Sequence, residues 1–444
     1  MWLTLHTHRA DGSRRAVQID ERAPLGRGGE GLVYPLRHDP HYVVKMFARP
    51  DAVREAKIRA MIAAPPAVNR DGHLHLAWPE AIVTDTNGRF LGYMMPRIDM
   101  RRSVPLDWYL LPAQRKAERL RGDSETDLGF RLTIARNIAA ILVAIHAAGH
   151  ALVDLKPPNI LVDREHGTVV IVDCDGSRIF EPGRIHPALV ATEEYLAPEF
   201  HGRVKQADAR QDRFALAVIV FRLLNDGLYP TNGTPLDPAA PASHIGRIKA
   251  GLFTVNPAAA MKPHPGSIQS FLADETIDLF RRGLSAAGLL RPAPYHWQCH
   301  LEQLLKRVRP CRAGRHAMLP KGCPWCGEIP MAPRPARSVV SPPVVKTVRA
   351  TPPSPANAIG AAWVRLNKAT KAGAATIAKT AVIAAAALAM AASEPGGPLA
   401  GKLSENAATT DDSCRRASLH TGNQQQATCP PIVPSPAAKE KANA

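Results

Sequence analysis

The first hundred residues alternate short apolar runs with polar turns, and longer apolar-faced segments appear only later. Residues 25–34 read as a strand, a glycine-bearing turn and a second strand, because apolar positions flank the glycines and no helical spacing follows. Residues 41–47 are a β-branched apolar run carrying one lysine, Lys45. Residues 52–62 read as a helix and residues 90–96 as a strand. Residues 101–122 are basic and polar, contain Pro105 and Pro112, and read as a connecting insertion. Apolar positions at helical spacing then run through residues 127–146. Residues 160–162 form a short buried strand, and residues 168–173 a second one that ends in acids. The loop between that helix and the first of these strands carries Asp154, Lys156 and Asn159, gripped by core on both sides. Such a loop holds polar side chains still enough for chemistry.

Past residue 308 the pattern changes. Proline dominates residues 329–355, alanine dominates residues 359–393, and residues 394–444 are polar, with the composition of a disordered tail. Residues 374–392 allow two readings, a marginal membrane anchor or an alanine-rich soluble helix. The apolar core, residues 380–392, is shorter than the roughly 20 residues a bilayer span needs. Lys368, Lys371 and Lys379 precede it, which would keep the first domain inside.

The 444 residues suffice for about two or three domains, and 45% hydrophobic content supports a real core. A net charge of +17 admits nucleic acid, an acidic lipid surface or acidic partners, beside a plain arginine-rich composition. No basic run is interleaved with aromatics, which argues against a nucleic-acid groove. Seven cysteines, an odd count, give the main body no disulfide framework. Residues 1–17 lack the apolar core of a signal peptide, so the first domain is expected on the cytoplasmic side.

The sequence Asp154-Leu155-Lys156-Pro157-Pro158-Asn159 resembles the catalytic loop of protein kinases. The resemblance implies that Asp154 orients a substrate hydroxyl and accepts its proton, that Lys156 contacts the transferred phosphate and that Asn159 holds Mg²⁺. Gly26, Gly28 and Gly31, with Val33 two residues on, are similar to the kinase lid over the phosphates. Lys45 then corresponds to the strand lysine that pairs with the α- and β-phosphates. Glu55 is the candidate for its helix partner, at a shorter interval than most kinases show. Met94, in residues 94–97, falls where hinge backbone groups hold adenine. Asp173 takes the place of the second metal-binding acid, while Cys174 and Asp175 replace the usual aromatic residue and glycine.

This Asp-Cys-Asp variant resembles a bacterial subfamily of kinases with extra C-terminal Cys/His modules. Val153 stands where many kinases have an arginine that reads a phosphorylated activation segment, so no strict need for that phosphorylation is expected. Thr192 is expected to bridge Asp154 and Lys156, Asp212 to hold the loop backbone, and Glu199 to pair with Arg291. On these motifs the chain is identified as a member of the bacterial Ser/Thr protein kinase-like family. The implied fold is α+β and two-lobed, with a small lobe of about residues 1–97 and a large lobe of about residues 98–308. The implied activity is ATP-dependent transfer to Ser/Thr hydroxyls of a protein substrate, in bacterial signalling, with a cognate phosphatase as a further partner. A nucleotide-binding pseudokinase acting as scaffold or sensor is the alternative, and a small-molecule phosphotransferase a third reading.

Residues 309–328 form a separate signal. Cys311 and His316 are five apart, and Cys323 and Cys326 enclose Pro324 and Trp325. Four such ligands suit a closed, tetrahedral structural zinc site. A redox Cys-x-x-Cys pair and plain free thiols remain the other readings.

Overall fold

The computed structural model describes residues 2–68, 75–123 and 127–329. Its first seven strands are β1 (Trp2–Arg9), β2 (Arg14–Asp20), β3 (Gly26–Arg27), β4 (Gly31–Pro35), β5 (Tyr42–Phe47), β6 (Ala81–Thr84) and β7 (Phe90–Pro96). They form one sheet in the order β2-β1-β6-β7-β5-β4-β3, with every neighbouring pair antiparallel. Side chains alternate between its faces. Val44 and Met94 pack with Leu5 and Ile19 on one face, whereas Phe47 and Tyr93 join the main core on the other.

Helix α1 (Ala52–Ala63) follows β5 directly. The Asp51 carboxylate caps it, accepting Arg54 N–H at 2.7 Å, and Ile58 and Met61 are its buried anchors. A second sheet, β8 (Ser103–Pro105), β9 (Ile160–Asp163) and β10 (Val169–Ile171), opens the large lobe in the order β10-β9-β8. Helices α2 (Asp107–Leu110), α3 (Pro112–Ala117) and α4 (Leu128–Ala147) surround it. The expected insertion at residues 101–122 is therefore built into the lobe. Leu106, Tyr109 and Leu110 are buried, and two buried guanidinium groups, Arg115 and Arg131, share the Asp226 carboxylate at 3.1 and 2.7 Å. Buried arginines read as surface in a one-dimensional pattern, because only the fold supplies the acid that neutralises them.

The hairpin β11 (Ile179–Glu181) and β12 (Arg184–His186) precedes α5 (Ala209–Leu224), the buried axis of the lobe. Next come β13 (Gly233–Pro235), α6 (His244–Lys249), β14 (Met261–Pro263), α7 (Asp274–Gly283) and α8 (Pro294–Arg307). A last hairpin, β15 (Arg309–Pro310) and β16 (Ala317–Met318), carries the Cys/His residues, and its Ala317 and Leu319 extend the main core. The expected α+β, two-lobed kinase fold is what the chain adopts. Among the described residues α4 is long and apolar enough to cross a membrane, but 61% of its apolar window is buried in the lobe, as a core helix requires. The linker from residue 330, the alanine-rich segment with its 374–392 anchor reading and the polar tail lie outside the described residues.

Candidate active site

The loop after α4 is held from below. The buried Asp212 carboxylate on α5 accepts the Leu152 and Val153 N–H groups at 2.8 and 2.7 Å, and His146 Nε2 lies 2.9 Å from it. These bonds keep Val153 at φ +67°, a left-handed conformation that a β-branched residue rarely adopts. The next residue, Asp154, is thereby aimed into the cleft. Its Oδ1 accepts the Thr192 N–H at 2.9 Å and the Thr192 hydroxyl at 2.8 Å. Its Oδ2 lies 2.8 Å from Lys156 Nζ, which also donates to Thr192 Oγ1 at 3.0 Å.

Asn159 donates its side-chain N–H to Asp154 O at 3.2 Å, which leaves the amide oxygen for another partner. Asp173 follows β10 in a left-handed turn at φ +59°, and its side chain is 56% exposed. Asp154, Lys156, Asn159 and Asp173 together line a cavity of about 310 Å³. An amide oxygen and a carboxylate at one edge of a cleft are hard ligands that fit Mg²⁺.

Lys45 is buried on the main-core face of β5, paired in register with Val33 and Tyr93. Its Nζ donates to Asp173 Oδ1 at 2.7 Å and Asp175 Oδ1 at 2.6 Å. Burial pulls the Lys45 ammonium down, but the charges of Asp175 and then Asp173 outweigh it and raise the pKa. Burial likewise opposes the Asp175 carboxylate, yet the Lys45 charge and the bonds from Lys45 and Tyr93 hold it below its ordinary range. Cys174, between the two acids, is fully buried, and burial pushes its thiol up.

One expected assignment needs correction, and the structure adds to two others. Glu55 does not reach Lys45. It sits in the first turn of α1 and pairs with Arg59 one turn on, at 2.7 Å. With so short a connection after β5, the helix face turned to the cleft carries Lys57 instead, whose ammonium burial pulls down to about 8. Met94 lies within β7, paired to both Val44 and Ala81; its carbonyl already accepts Glu80 N–H at 2.9 Å, and its side chain packs on the sheet face away from Lys45.

Gly31 has a packing reason of its own to be glycine. A Cβ there would lie 2.0 Å from Met46 O, so the close approach of β4 to β5 demands glycine. Gly26 and Gly28 border the open turn, where Gly28 N–H donates to Gly31 O at 2.9 Å. Asp175 was missed as a site residue. The legible signal was an acid two residues past Asp173, where the kinase pattern has glycine.

In the last hairpin and the turns after it, the ligand atoms of Cys311, His316, Cys323 and Cys326 all lie within 4.8 Å of one another. Cys311 Sγ and His316 Nδ1 are 3.9 Å apart, close to the edge of a zinc tetrahedron. Two turns shape the site: Gly314 N–H donates to Cys311 O, and Gly327 N–H to Cys323 O. The donor set and spacing fit a structural zinc ion, with no position left open for catalysis.

Two lobes, a loop acid braced by lysine and threonine, and a second acid against a strand lysine define a protein kinase-like domain. Residues 122–243 match the family model described as Protein kinase domain. Protein kinase YegI of Escherichia coli (strain K12) is 27% identical over 317 residues, covering 68% of this chain and 47% of that protein. The same-named protein of Escherichia coli O157:H7 is likewise 27% identical, with 68% and 48% covered. The Serine/threonine-protein kinase pkn3 of Myxococcus xanthus is 34% identical over 109 residues, 22% of this chain and 20% of that protein. The chain spans about half the length of the YegI relatives it matches. The chain is thus similar to protein kinases through residues 122–243, and to the bacterial YegI proteins over 68% of its length.

Proposed function

We propose that the chain is an active protein kinase that transfers the γ-phosphoryl group of ATP to serine or threonine hydroxyls of a protein substrate, in bacterial signalling. The observation that carries this reading is the convergence of Asp154, Lys156, Asn159 and Asp173 on one cleft, with Thr192 bonded to the first two. Asp154 orients the attacking hydroxyl and takes its proton, and Lys156 stabilises charge on the transferred group. Asn159 and Asp173 hold Mg²⁺, Lys45 holds phosphates, and the turn bearing Gly26 and Gly28 covers them. Bound Mg-ATP supplies the phosphoryl group and the charge neutralisation that such transfers need. The bond between Thr192 and Asp154 supports hydroxyl substrates of the Ser/Thr kind. The Cys/His hairpin serves as a zinc-held brace on the large lobe. A cognate phosphatase and attachment to the inner membrane through residues 374–392, with the kinase domain in the cytoplasm, complete the proposal.

The test is phosphate transfer from labelled ATP with Mg²⁺ by the full chain, beside Asp154→Asn and Asp173→Asn. Self-labelling or labelling of a generic basic protein, abolished in both variants, is expected. Mg²⁺-dependent ATP binding with no transfer by the unmodified chain would point to a pseudokinase instead.

A further inference from the structure

The cleft distributes its charges differently from the expected pattern. Helix α1 turns Glu55 to Arg59 and presents a cation, Lys57, to the cavity. The acid that meets Lys45 comes from the other side, two residues past Asp173. Asp175 is only 6% exposed, and one oxygen serves two donors, with Lys45 Nζ at 2.6 Å and the Tyr93 hydroxyl at 2.8 Å. Its other oxygen, Oδ2, is buried and has no hydrogen-bond partner among the described residues. A buried carboxylate oxygen left in this way has room for one more donor. Lys57 lines the same cavity, and its ammonium makes a long contact of 3.5 Å to Pro187 O.

The two acids on Lys45 are not equivalent. Asp173 is more than half exposed and borders the cleft where Asn159 offers its amide oxygen. A carboxylate committed to a divalent cation is a weaker partner for an ammonium ion. Lys45 would then be a buried charge with too little compensation, unless a second acid stayed with it. Asp175 borders the same cavity, but it is only 6% exposed and its Oδ1 is held by the Tyr93 hydroxyl as well as by Lys45.

We infer that Asp175 is the positioning carboxylate of Lys45, in place of an acid on α1, whose cleft-facing side carries the cation Lys57 instead. The arrangement is a charge-exchanged version of the strand-lysine and helix-glutamate bridge. This rests on reading the cleft as a nucleotide site.

The test uses the full chain and two readouts. The first is Mg-ATP affinity by calorimetry, with the KM for ATP and kcat where transfer is measurable. Asp175→Asn and Asp175→Gly are expected to weaken ATP binding and raise KM about tenfold or more, while Glu55→Gln changes neither. The double variant Asp175→Gly with Lys57→Glu moves the carboxylate onto the helix and is expected to recover most of that affinity. A merely structural role for Asp175 would not be rescued by an acid on another element. The second readout needs no nucleotide: acylation of the Lys45 amine, followed by mass spectrometry, is expected to quicken several-fold in Asp175→Asn and not in Glu55→Gln. Unchanged affinity and unchanged Lys45 reactivity in Asp175→Asn, or losses in Glu55→Gln instead, would overturn the inference. An unmodified chain that binds no Mg-ATP would sink the nucleotide reading, while the acylation rates still decide whether Asp175 holds Lys45.

Discussion

Thr192 and Asp154 are joined twice, through the Thr192 backbone N–H at 2.9 Å and its hydroxyl at 2.8 Å. The residues are 38 apart in sequence, so the contact ties the activation segment to the catalytic loop. Lys156 closes the triangle on both. Removing only the hydroxyl should therefore leave nucleotide binding intact and misplace the base. Thr192→Val is expected to lower kcat roughly ten- to hundredfold with little change in the KM for ATP, and Thr192→Ser to retain most of the rate. Steady-state kinetics on both variants is the check; equal loss in Thr192→Ser would remove the hydroxyl from the explanation.

Arg291 is buried in the large lobe and grips Glu199 through two bonds, at 2.6 and 2.8 Å, while also donating to Ser285 O. Losing one partner strands a buried charge. Arg291→Met or Glu199→Gln should each destabilise the lobe by about 3–5 kcal/mol, and the double variant by less than the sum. Urea denaturation of the three proteins measures this directly.

His300 on α8 is buried against Thr276 of α7, with its Nε2 2.8 Å from the Thr276 hydroxyl, and burial pulls its pKa down to about 4. Its unfolded value is about 6.5, so between these limits the unfolded chain binds the proton more readily. Stability should thus fall as pH drops from 6.5 towards 4. At pH 5 the effect of this one group is about 2 kcal/mol, and His300→Gln should lack it. Melting curves at pH 7 and pH 5 for both proteins test the difference. An equal acid loss in the two would rule His300 out as the cause.

The Cys/His hairpin lends Ala317 and Leu319 to the main core, and Lys321 pairs with Asp274 of α7 at 2.7 Å. Metal bound there should stabilise the large lobe as well as the hairpin. Elemental analysis should find about one zinc per chain, lost in Cys323→Ser. Chelation should lower the melting temperature by about 5 °C and be reversed by added zinc. A chelator-insensitive melting curve would leave the hairpin standing without metal.

The catalytic loop, the acids after β10 and the Cys/His spacing were legible because each is a local string whose residues lie within a few positions of one another. The two-lobed fold followed from their order, together with the apolar spacing of α4 and the strand pattern around Lys45. The partner of Lys45 was not legible. Asp175 lies 130 residues away, and only the folded chain brings the turn after β10 to β5. Helix phase decided Glu55, since a shift of a few residues along a helix turns a side chain to another face. Within the 101–122 segment the buried Arg115 finds its acid in Asp226, which the chain delivers about a hundred positions later. Short-range spacing therefore determined which chemistry the chain carries. Long-range pairing of charges decided which acid serves which base, because the energy of a buried charge depends on a neighbour that sequence proximity does not reveal.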